Sequence, residues 1–243
     1  MGIIEKMVDF SKLASDHQQQ FFETMLAFDQ QFFPDSSKKE VYDFVYDIDA
    51  VSVQVVHYYH QGQLIGQNII PILKLALNGK PIFVVSSRAS ILPASRRGNR
   101  TLKTAIRIAF NQRIRHPSIP LWFVPIVIQP KIYTYLASRS RNFFPRVGRK
   151  IPAEYLKVLQ MMQQRKAEVH KRREDIFVYP YVMPLTTPAQ IKRLRNKTTT
   201  HINFFMQHVP DYFDGMGLLC IGKLDLKTIL ETIWNLSTDR HVY

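Results

Sequence analysis

The stretch 81–114, PIFVVSSRASILPASRRGNRTLKTAIRIAFNQRI, decides the fold that we predict for this chain. Its first part, 82–92, is rich in β-branched and apolar residues and predicts a buried strand. Pro93 ends this strand, because proline has no N–H group to donate to a strand ladder. A short basic loop comes next, and the remainder has the spacing of an amphipathic helix. The predicted order is therefore strand, basic loop, helix.

The loop supplies three guanidinium groups and one glycine, in the order Arg96, Arg97, Gly98, Asn99, Arg100. Asn99 or Thr101 is positioned to cap the helix, whose predicted inward face is Leu102, Ala105, Ile106 and Ala109. The N-terminus of a helix favours anions, because its N–H groups are unpaired and its dipole is positive there. Arginine adds bidentate phosphate donors. The residues from Arg96 to Thr101 therefore predict a phosphate or pyrophosphate site; the alternative is an ordinary solvated turn.

Two common phosphate motifs do not fit this loop. A Walker loop needs Gly-Lys-Ser/Thr, and a dinucleotide fingerprint needs three spaced glycines. The order instead resembles the acyl-CoA pyrophosphate loop of the GNAT-type acyltransferase superfamily, which is a strand, Arg/Gln-x-x-Gly-x-Gly/Ala and a helix. Arg97 matches the first position, and Gly98 is the glycine that commonly follows it. Arg100 and Leu102 stand where the two motif glycines would be, so this chain departs from the pattern.

Composition bounds the class of protein. The chain has 243 residues, with 46% hydrophobic and 21% charged residues, as in a globular protein. Cys220 is the single cysteine, which excludes an internal disulfide and a Cys-rich zinc site. No apolar run has the length of a membrane span, and the start MGIIEKMVDF is a poor signal peptide, so we expect a cytoplasmic protein. The net charge of +14 predicts an anionic partner: nucleic acid, anionic membrane, acidic protein or phosphorylated cofactor.

Residues 3–8 are compatible with a short strand, and the segment that follows is predicted to be helical. An aromatic stripe along 10–33 predicts a core-facing helix, with His17 as an interior histidine. Ser36 or Ser37 is expected to cap a second helix that continues through Tyr46. The acidic residues Asp43, Asp47 and Asp49 follow near its end. They predict either a solvated helix end or an acidic site that holds a cationic amine.

The period then changes to that of strands. Residues 52–60 and 63–77 predict two strands joined by a turn at Gln61-Gly62. Asn78-Gly79 predicts a tight hairpin into the strand 82–92, because both residue types tolerate positive φ. These three strands predict an antiparallel meander before the basic loop. After the helix, the apolar run 119–128 predicts a central strand, and a helix follows over 129–141.

The resemblance covers about 52–141 and carries its own implications. It implies a GNAT-like α/β (α+β) fold, with a mixed, mostly antiparallel twisted sheet, helices on both faces and additional C-terminal helices. It also implies that the strands before and after the cofactor helix run parallel and splay apart, so that the pantetheine arm lies between them. A tyrosine of the following helix would protonate the leaving thiolate. Tyr133 and Tyr135 both lie in that helix, and spacing does not choose between them.

Beyond residue 141 the resemblance ends. We predict a helix over 153–173, a strand-like run over 176–183, a helix over 188–208, a strand over 217–224, and a last helix to 236 that is capped by Asp225. No repeat or low-complexity linker divides the chain. We therefore expect one domain over 1–243, with a core at about 41–141 and additional helical cover and a final strand over 142–243.

The resemblance implies that the protein transfers an acyl group from an acyl-CoA to an amine. A base must accept the proton of the amine. The strand before the basic loop has Ser86, Ser87 and Arg88 where relatives often place a glutamate, so Asp49 and His57 are the candidate bases. Arg88 lies in an otherwise apolar strand, and burial of an unpaired guanidinium is costly. It is therefore expected to meet an anion, either a protein carboxylate or the substrate.

Two other functions stay open. An acidic acyl carrier protein is an alternative acyl donor, as for acyl-amino-acid or homoserine-lactone synthases, because the surface is basic. Arginines interleaved with aromatic residues over 139–149 are compatible with a non-catalytic nucleic-acid-binding protein. No ligand spacing predicts a metal site, and the apolar surroundings of Cys220 argue against a nucleophilic thiol.

Overall fold

The computed structural model of the protein describes residues 2–95, 100–181, 192, 199–238 and 240–242. Its strands are β1 (Ile4–Asp9), β2 (Ala50–His60), β3 (Gln63–Leu77), β4 (Lys80–Val85), β5 (Arg88–Ile91), β6 (Leu121–Phe123), β7 (Ile126–Val127), β8 (Phe143–Phe144), β9 (His170–Arg173), β10 (Ile176–Pro180), β11 (Met216–Leu219) and β12 (Ile221–Lys223). The helices are α1 (Ser15–Gln30), α2 (Lys38–Val45), α3 (Arg100–Arg115), α4 (Pro130–Ala137), α5 (Ala153–Arg165), α6 (Thr200–His208) and α7 (Leu226–Ser237).

The predicted antiparallel meander of three strands is formed by β2, β3 and β4, and β1 adds a fourth strand beside β2. Neighbouring strands from β1 to β4 pair in chain order, and all of these pairs are antiparallel. Both predicted turns are confirmed: Gln61-Gly62 has φ of 49° and 79°, and Asn78-Gly79 has φ of 51° and 74°. These left-handed conformations match the right-handed twist of the flanking strands, so the two turns fix the register of the meander.

A parallel strand pair follows the meander. β4 runs parallel to β6, with Phe83 opposite Leu121 and Val85 opposite Phe123, and α3 is the crossover between the two. The main sheet has the order β1-β2-β3-β4-β6-β12-β8, and β5 pairs with β3 outside this path. A second sheet has the order β7-β11-β10-β9 and is antiparallel. β6 and β12 lie in the first sheet, whereas their continuations β7 and β11 lie in the second.

Alternation along the strands places helices on both faces of the main sheet. In β4, Phe83 and Val85 pack with Ala105 and Ile108 of α3, in one apolar cluster. The alternate residues of β4 face the other side of the sheet and belong to a cluster that includes α5. On that same side, α1 and α2 cover β2 and β3. The prediction of a mixed, mostly antiparallel sheet flanked by helices on both faces is confirmed.

Two predicted strands are interrupted. The strand predicted over 82–92 is divided at Ser86-Ser87 into β4 and β5, and the strand predicted over 119–128 is divided at Val124-Pro125 into β6 and β7. At Val124-Pro125 the chain leaves β4 for β11, whereas β4 and β5 both pair with β3 and the break at Ser86-Ser87 falls where the β4–β6 pair ends. The final strand predicted over 217–224 is likewise divided at Cys220 into β11 and β12, because it contributes to both sheets.

Some helix predictions need correction. The buried face of α3 is Thr104, Ala105, Ile108 and Ala109, so Leu102 and Ile106 are only partly buried. His17 is exposed rather than interior, because α1 begins only at Ser15 and turns this side chain to solvent. The helix predicted over 153–173 ends at Arg165, and His170–Arg173 forms the edge strand β9.

Two predicted helix caps are confirmed. Asp225 caps α7, since its carboxylate accepts from the N–H of Thr228 at 2.7 Å. Ser37 caps α2 in the same way, through the N–H of Glu40 at 3.0 Å.

Only residues 192 and 199–208 of the helix predicted over 188–208 are described, and α6 occupies the last nine of them. Over the described part of the chain, no helix combines the length and hydropathy needed to cross a membrane.

Candidate active site

The central feature of the candidate site is a gap between two strands that begin as neighbours. β4 and β6 are paired up to Val85 and Phe123, and the N–H of Val124 still donates to the carbonyl of Val85 at 2.8 Å. Beyond this point β5 pairs with β3, whereas β7 pairs with β11 in the other sheet. Among the described strands, none pairs with the second edge of β5 or of β7. Ile91 of β5 already has an interaction partner, and the remaining backbone groups of the two facing edges are those that an extended ligand can pair with.

An aromatic cluster lies where the two edges end. Phe28, Phe32 and Phe33 are buried and pack with Leu92, which follows β5, and with Ile128, which follows β7. The cluster thus connects both sides of the gap to α1 and the turn after it. Apolar ligand atoms that enter this end of the gap meet aromatic rings, whereas the backbone edges offer polar partners.

The N-terminus of α3 is joined to the gap by buried polar side chains. Asn68 of β3 is fully buried; its amide donates to the carbonyl of Thr101 at 3.1 Å and accepts from the hydroxyl of Ser87 at 2.7 Å. The hydroxyl of Tyr58 lies beside Asn68 and Thr104 but has no hydrogen bond of normal geometry among the described residues. Asn68 therefore fixes the first turn of α3 to the strand that borders the gap.

Of the six predicted phosphate-binding residues, Arg100 and Thr101 are described, and Arg96, Arg97, Gly98 and Asn99 lie outside the described residues. Arg100 is the first residue of α3 and is partly buried. Its Nε is buried and has no acceptor among the described residues. An unpaired guanidinium N–H at a helix N-terminus is a favourable position for an anion.

Arg88 occupies the opposite face of the same strands. Its Nε and Nη2 donate to both carboxylate oxygens of Asp29 at 2.8 and 2.7 Å, and its Nη1 donates to Glu40 at 2.7 Å. The hydroxyls of Ser36 and Tyr181 accept its remaining N–H groups at 2.9 and 2.6 Å. Burial alone lowers the pKa of Arg88, but Tyr181, Asp29 and Glu40 raise it above its ordinary value.

The rings of Phe33 and Tyr181 enclose this guanidinium, with centroids 4.7 and 5.0 Å from its central carbon. The sequence predicted an anion for Arg88, and Asp29 and Glu40 are that anion. Neither carboxylate was identified from the sequence, because both lie in helices far from Arg88 along the chain, where a carboxylate is typical of a solvated surface. The sequence did offer one indication, which is an aspartate within the aromatic stripe that was predicted to face the core.

The two candidate tyrosines have different surroundings. Tyr133 is fully buried, and its hydroxyl donates to the carbonyl of Pro145 at 2.9 Å. Burial raises the pKa of Tyr133 above its ordinary value. Tyr135 is partly exposed, and the guanidinium of Arg139 lies 5.2 Å from its ring centroid. The hydroxyl of Tyr133 is thus engaged with the protein in this structure.

The candidate bases lie away from the gap. Asp49 precedes β2 and forms an ion pair with Arg165 of α5. His57 of β2 is buried, stacks on Phe21, and its Nε2 lies 3.1 Å from the amide oxygen of Gln67. Burial lowers the pKa of His57, partly offset by Gln67. Because β3 separates β2 from β5, the backbone of His57 is about 10 Å from β5. Asp49 lies beside Lys74, whose other neighbour is in β4 before the gap begins, and the structure does not bring Asp49 and His57 together with the tyrosines.

Two further groups were judged from the sequence. Cys220 is fully buried, and burial raises the pKa of its thiol. The predicted acidic site divides in the structure, since Asp43 pairs with Lys39 while Asp47 and Asp49 pair with Arg165. Among the residues that the structure describes, no group of three or more His, Cys, Asp or Glu side chains is arranged to hold a metal ion.

Comparison with known proteins gives similarity in structure only. No family model matches the chain, and no curated protein matches its sequence. The fold is similar to a protein from Enterococcus faecalis V583 described as a probable N-acyltransferase, with 8% identity and a TM-score of 0.40 over 59% of this chain and 34% of that chain. It is also similar to an acyl-CoA N-acyltransferase from Pseudomonas aeruginosa, with 11% identity and a TM-score of 0.36 over 57% of this chain and 88% of that one.

A third similar structure is an aminoglycoside N-acetyltransferase in complex with CoA, with 12% identity and a TM-score of 0.34 over 68% of this chain and 86% of that chain. The chain thus spans about one third of the first of these proteins and most of the other two. Similarity at these levels does not establish what this chain does. The function proposed below therefore depends on the geometry of the chain itself.

Proposed function

We propose that this protein is an acyltransferase that moves an acyl group from an acyl-CoA thioester to an amine. The observation that carries the proposal is the parallel pair β4–β6, which splits after Val85 and Phe123 and leaves two facing strand edges without strand partners among the described residues. An extended pantetheine arm is a chain of amide groups that can pair with such edges. The thioester then lies between the strands, close to the point where they separate.

The phosphate end of the donor is proposed to bind at the start of α3. Arg100 has a buried N–H there without an acceptor among the described residues, and Asn68 holds the carbonyl of Thr101 against β3. The loop residues Arg96, Arg97, Gly98 and Asn99 precede this helix in sequence and are proposed to complete the site. Guanidinium groups are expected to replace part of the backbone N–H contacts that a glycine-rich loop supplies.

The proposed reaction is a direct transfer. The amine nitrogen attacks the thioester carbonyl carbon, the C–S bond breaks, and the amide bond forms. Backbone N–H groups at the strand edge stabilise the oxyanion. The thiolate takes a proton from a general acid, and the amine gives its proton to a base, for which Asp49 and His57 remain the proposed candidates.

Tyr135 is the acid that we propose to test first, since the hydroxyl of Tyr133 already donates to Pro145. If Tyr135 is the acid, Tyr135→Phe is expected to lower kcat by roughly 10²-fold or more. Tyr133→Phe is expected to lower stability by about 1 kcal/mol. The measurement is turnover of the acyl-CoA that binds best, with urea unfolding of both variants. Loss of turnover in Tyr133→Phe alone would reverse the two roles.

The donor site is tested by thermal unfolding with acetyl-CoA, long-chain acyl-CoAs, free CoA and 3′,5′-ADP. A ligand that binds only the native state stabilises it by RT ln(1 + [L]/Kd), about 2.7 kcal/mol at a hundredfold excess over Kd. The variant is Arg97→Ala with Arg100→Ala. The matched control is Lys80→Ala with Lys150→Ala, which removes the same charge from exposed positions outside the candidate site.

Stabilisation by CoA species that only the arginine variant loses supports the proposed site, and the best chain length defines the acyl group. Equal loss in the control variant would mean that general charge attraction explains binding. No stabilisation by any CoA species would contradict an acyl-CoA donor.

A carrier protein is the second candidate donor for the same gap, because the chain has a net charge of +14 and carrier proteins are acidic. Transfer from an acyl carrier protein, with no response to acyl-CoA, would select it. Binding to an oligonucleotide that falls steeply with salt, without either donor, would instead favour the nucleic-acid alternative.

A further inference from the structure

One face of the molecule combines an exposed apolar helix with a basic helix. α7 and α3 contact each other on the same side of the main sheet. Four large apolar side chains of α7 are exposed: Leu226 by 44%, Leu230 by 57%, Ile233 by 38% and Trp234 by 61%. Their spacing of four, three and one residues places them on a single face of the helix.

The side of α7 that packs against the protein is the one opposite to these four exposed side chains. Thr228, Ile229 and Asn235 are buried against the protein, and the amide of Asn235 donates to the carbonyl of Arg139 at 2.9 Å. The helix is therefore held by one face while its more apolar face is left to solvent. A patch of this kind is typical of an interaction surface.

The basic residues of the neighbouring helix indicate that the partner is anionic. α3 contains Arg100, Lys103, Arg107, Arg113 and Arg115 and no acidic residue. Lys103 is exposed, as is the apolar Ile114, by 55%, whereas Arg107 forms an ion pair with Glu5 of β1. Lys227 of α7 is exposed next to the apolar face. Cations beside exposed leucine, isoleucine and tryptophan match an anionic bilayer surface, where apolar side chains enter the acyl boundary and cations meet headgroup phosphates.

We propose that α7 and α3 form a docking surface for an anionic lipid bilayer. Trp234, Leu230, Ile233 and Leu226 insert at the headgroup level, with α7 parallel to the membrane plane. Lys103 and Lys227 contact anionic headgroups. Tryptophan is favoured at this depth because its ring is apolar and its N–H stays near water. The inference does not depend on the proposed acyl transfer.

The test is co-sedimentation with vesicles of equimolar phosphatidylcholine and phosphatidylglycerol, compared with pure phosphatidylcholine. The wild type is expected to bind the anionic vesicles and to be released by high salt. Leu230→Gln with Trp234→Gln is expected to weaken partition by roughly tenfold or more. The matched control is Met7→Gln with Ile48→Gln, which removes apolar side chains that are 50% and 94% exposed outside α3 and α7, and it is expected to bind as wild type does.

Trp234 supplies a direct readout. The only other tryptophan, Trp122, is fully buried, so a blue shift of emission on adding vesicles reports Trp234. Lys103→Glu with Lys227→Glu is expected to lose the preference for anionic vesicles. Urea unfolding of each variant checks that the fold is intact.

Three results overturn the proposal. The first is that wild type does not bind anionic vesicles. The second is that the α7 variant and the control variant bind equally. The third is that the α7 variant loses a concentration-dependent dimer, or binding to an acidic carrier protein, while no form of the protein binds vesicles; the surface would then belong to that partner.

Discussion

Two polar clusters lie on opposite faces of β3 and β5, and they differ in how completely their hydrogen bonds are satisfied. On the α1 face, each N–H of Arg88 has an acceptor in Asp29, Glu40, Ser36 or Tyr181. On the α3 face, Asn68 has two partners, but the hydroxyl of Tyr58 has no hydrogen bond of normal geometry and the Nε of Arg100 has no acceptor among the described residues. A saturated cluster stabilises the fold, whereas an incomplete one retains capacity for a ligand.

The largest effect is expected from breaking the saturated cluster. Arg88→Met leaves the buried carboxylate of Asp29 without its cation and is expected to cost about 3–5 kcal/mol of unfolding free energy, as urea unfolding will measure. Adding Asp29→Leu is expected to recover part of this loss. Arg165→Met, which breaks a partly exposed ion pair, is the control and is expected to cost at most about 1 kcal/mol. A fully stable Arg88→Met protein that loses activity would make Arg88 a functional residue instead.

The next effect distinguishes the two faces within one strand. Asn68→Leu and Gln67→Leu each remove a buried amide with two partners, on the α3 face and the α1 face respectively. Each is expected to cost about 1–3 kcal/mol. Only Asn68→Leu is expected also to lose the stabilisation by CoA, because it releases the first turn of α3. Equal CoA stabilisation in both variants would show that Asn68 does not position the ligand site.

A smaller effect is expected at Ser87, whose hydroxyl donates to the amide oxygen of Asn68. Ser87→Ala is expected to cost about 1 kcal/mol and to weaken CoA binding less than Asn68→Leu does. Ser11→Ala, which removes an exposed hydroxyl bonded to Asp9, is the control and is expected to leave both measurements unchanged. A larger loss of CoA binding in Ser87→Ala than in Asn68→Leu would contradict this order.

The smallest effect concerns pH on the α1 face. Burial lowers the pKa of His57, so the unfolded chain binds a proton more readily than the folded chain does. Stability is therefore complete above the unfolded pKa of about 6.5 and falls as pH decreases toward the folded pKa. His57→Gln is expected to flatten this dependence between pH 7.5 and pH 5.5 in urea unfolding. An unchanged slope would assign the effect to His201 and His208, whose pKa values burial also lowers.

Local features of the sequence were sufficient for most of the scaffold. Asn78-Gly79 and Gln61-Gly62 define their hairpins because few other residues adopt positive φ, and Asp225 and Ser37 cap helices through contacts three residues away. The resemblance implied that the strands before and after α3 run parallel and then separate, and β4 and β6 do so. The break at Val124-Pro125 was missed, because apolar composition does not show that a strand changes its partner. The break at Ser86-Ser87 was missed as well, although β4 and β5 both pair with β3.

The site was less predictable, since its contacts join distant parts of the chain. Arg88 meets Asp29 across 59 residues and Tyr181 across 93. Its need for an anion follows from burial energetics, but the identity of that anion depends on how α1 and α2 pack. Asn68 was missed for the same reason: a polar residue within an apolar strand has a partner, and only the position of α3 shows that the partner is Thr101.

Two neighbouring segments of the chain each pass from one sheet to the other. The segment with β6 and β7 crosses at Val124-Pro125, and the segment with β11 and β12 crosses beside it, at Cys220. The N–H of Cys220 donates to the carbonyl of Pro125 at 2.9 Å, which ties the two crossings together. The width of the gap is therefore set by the route of the backbone and not by the side chains that line it. Side chains that line the gap can therefore be exchanged without rebuilding this frame, so the shape of the gap and the chemistry of its lining depend on different residues.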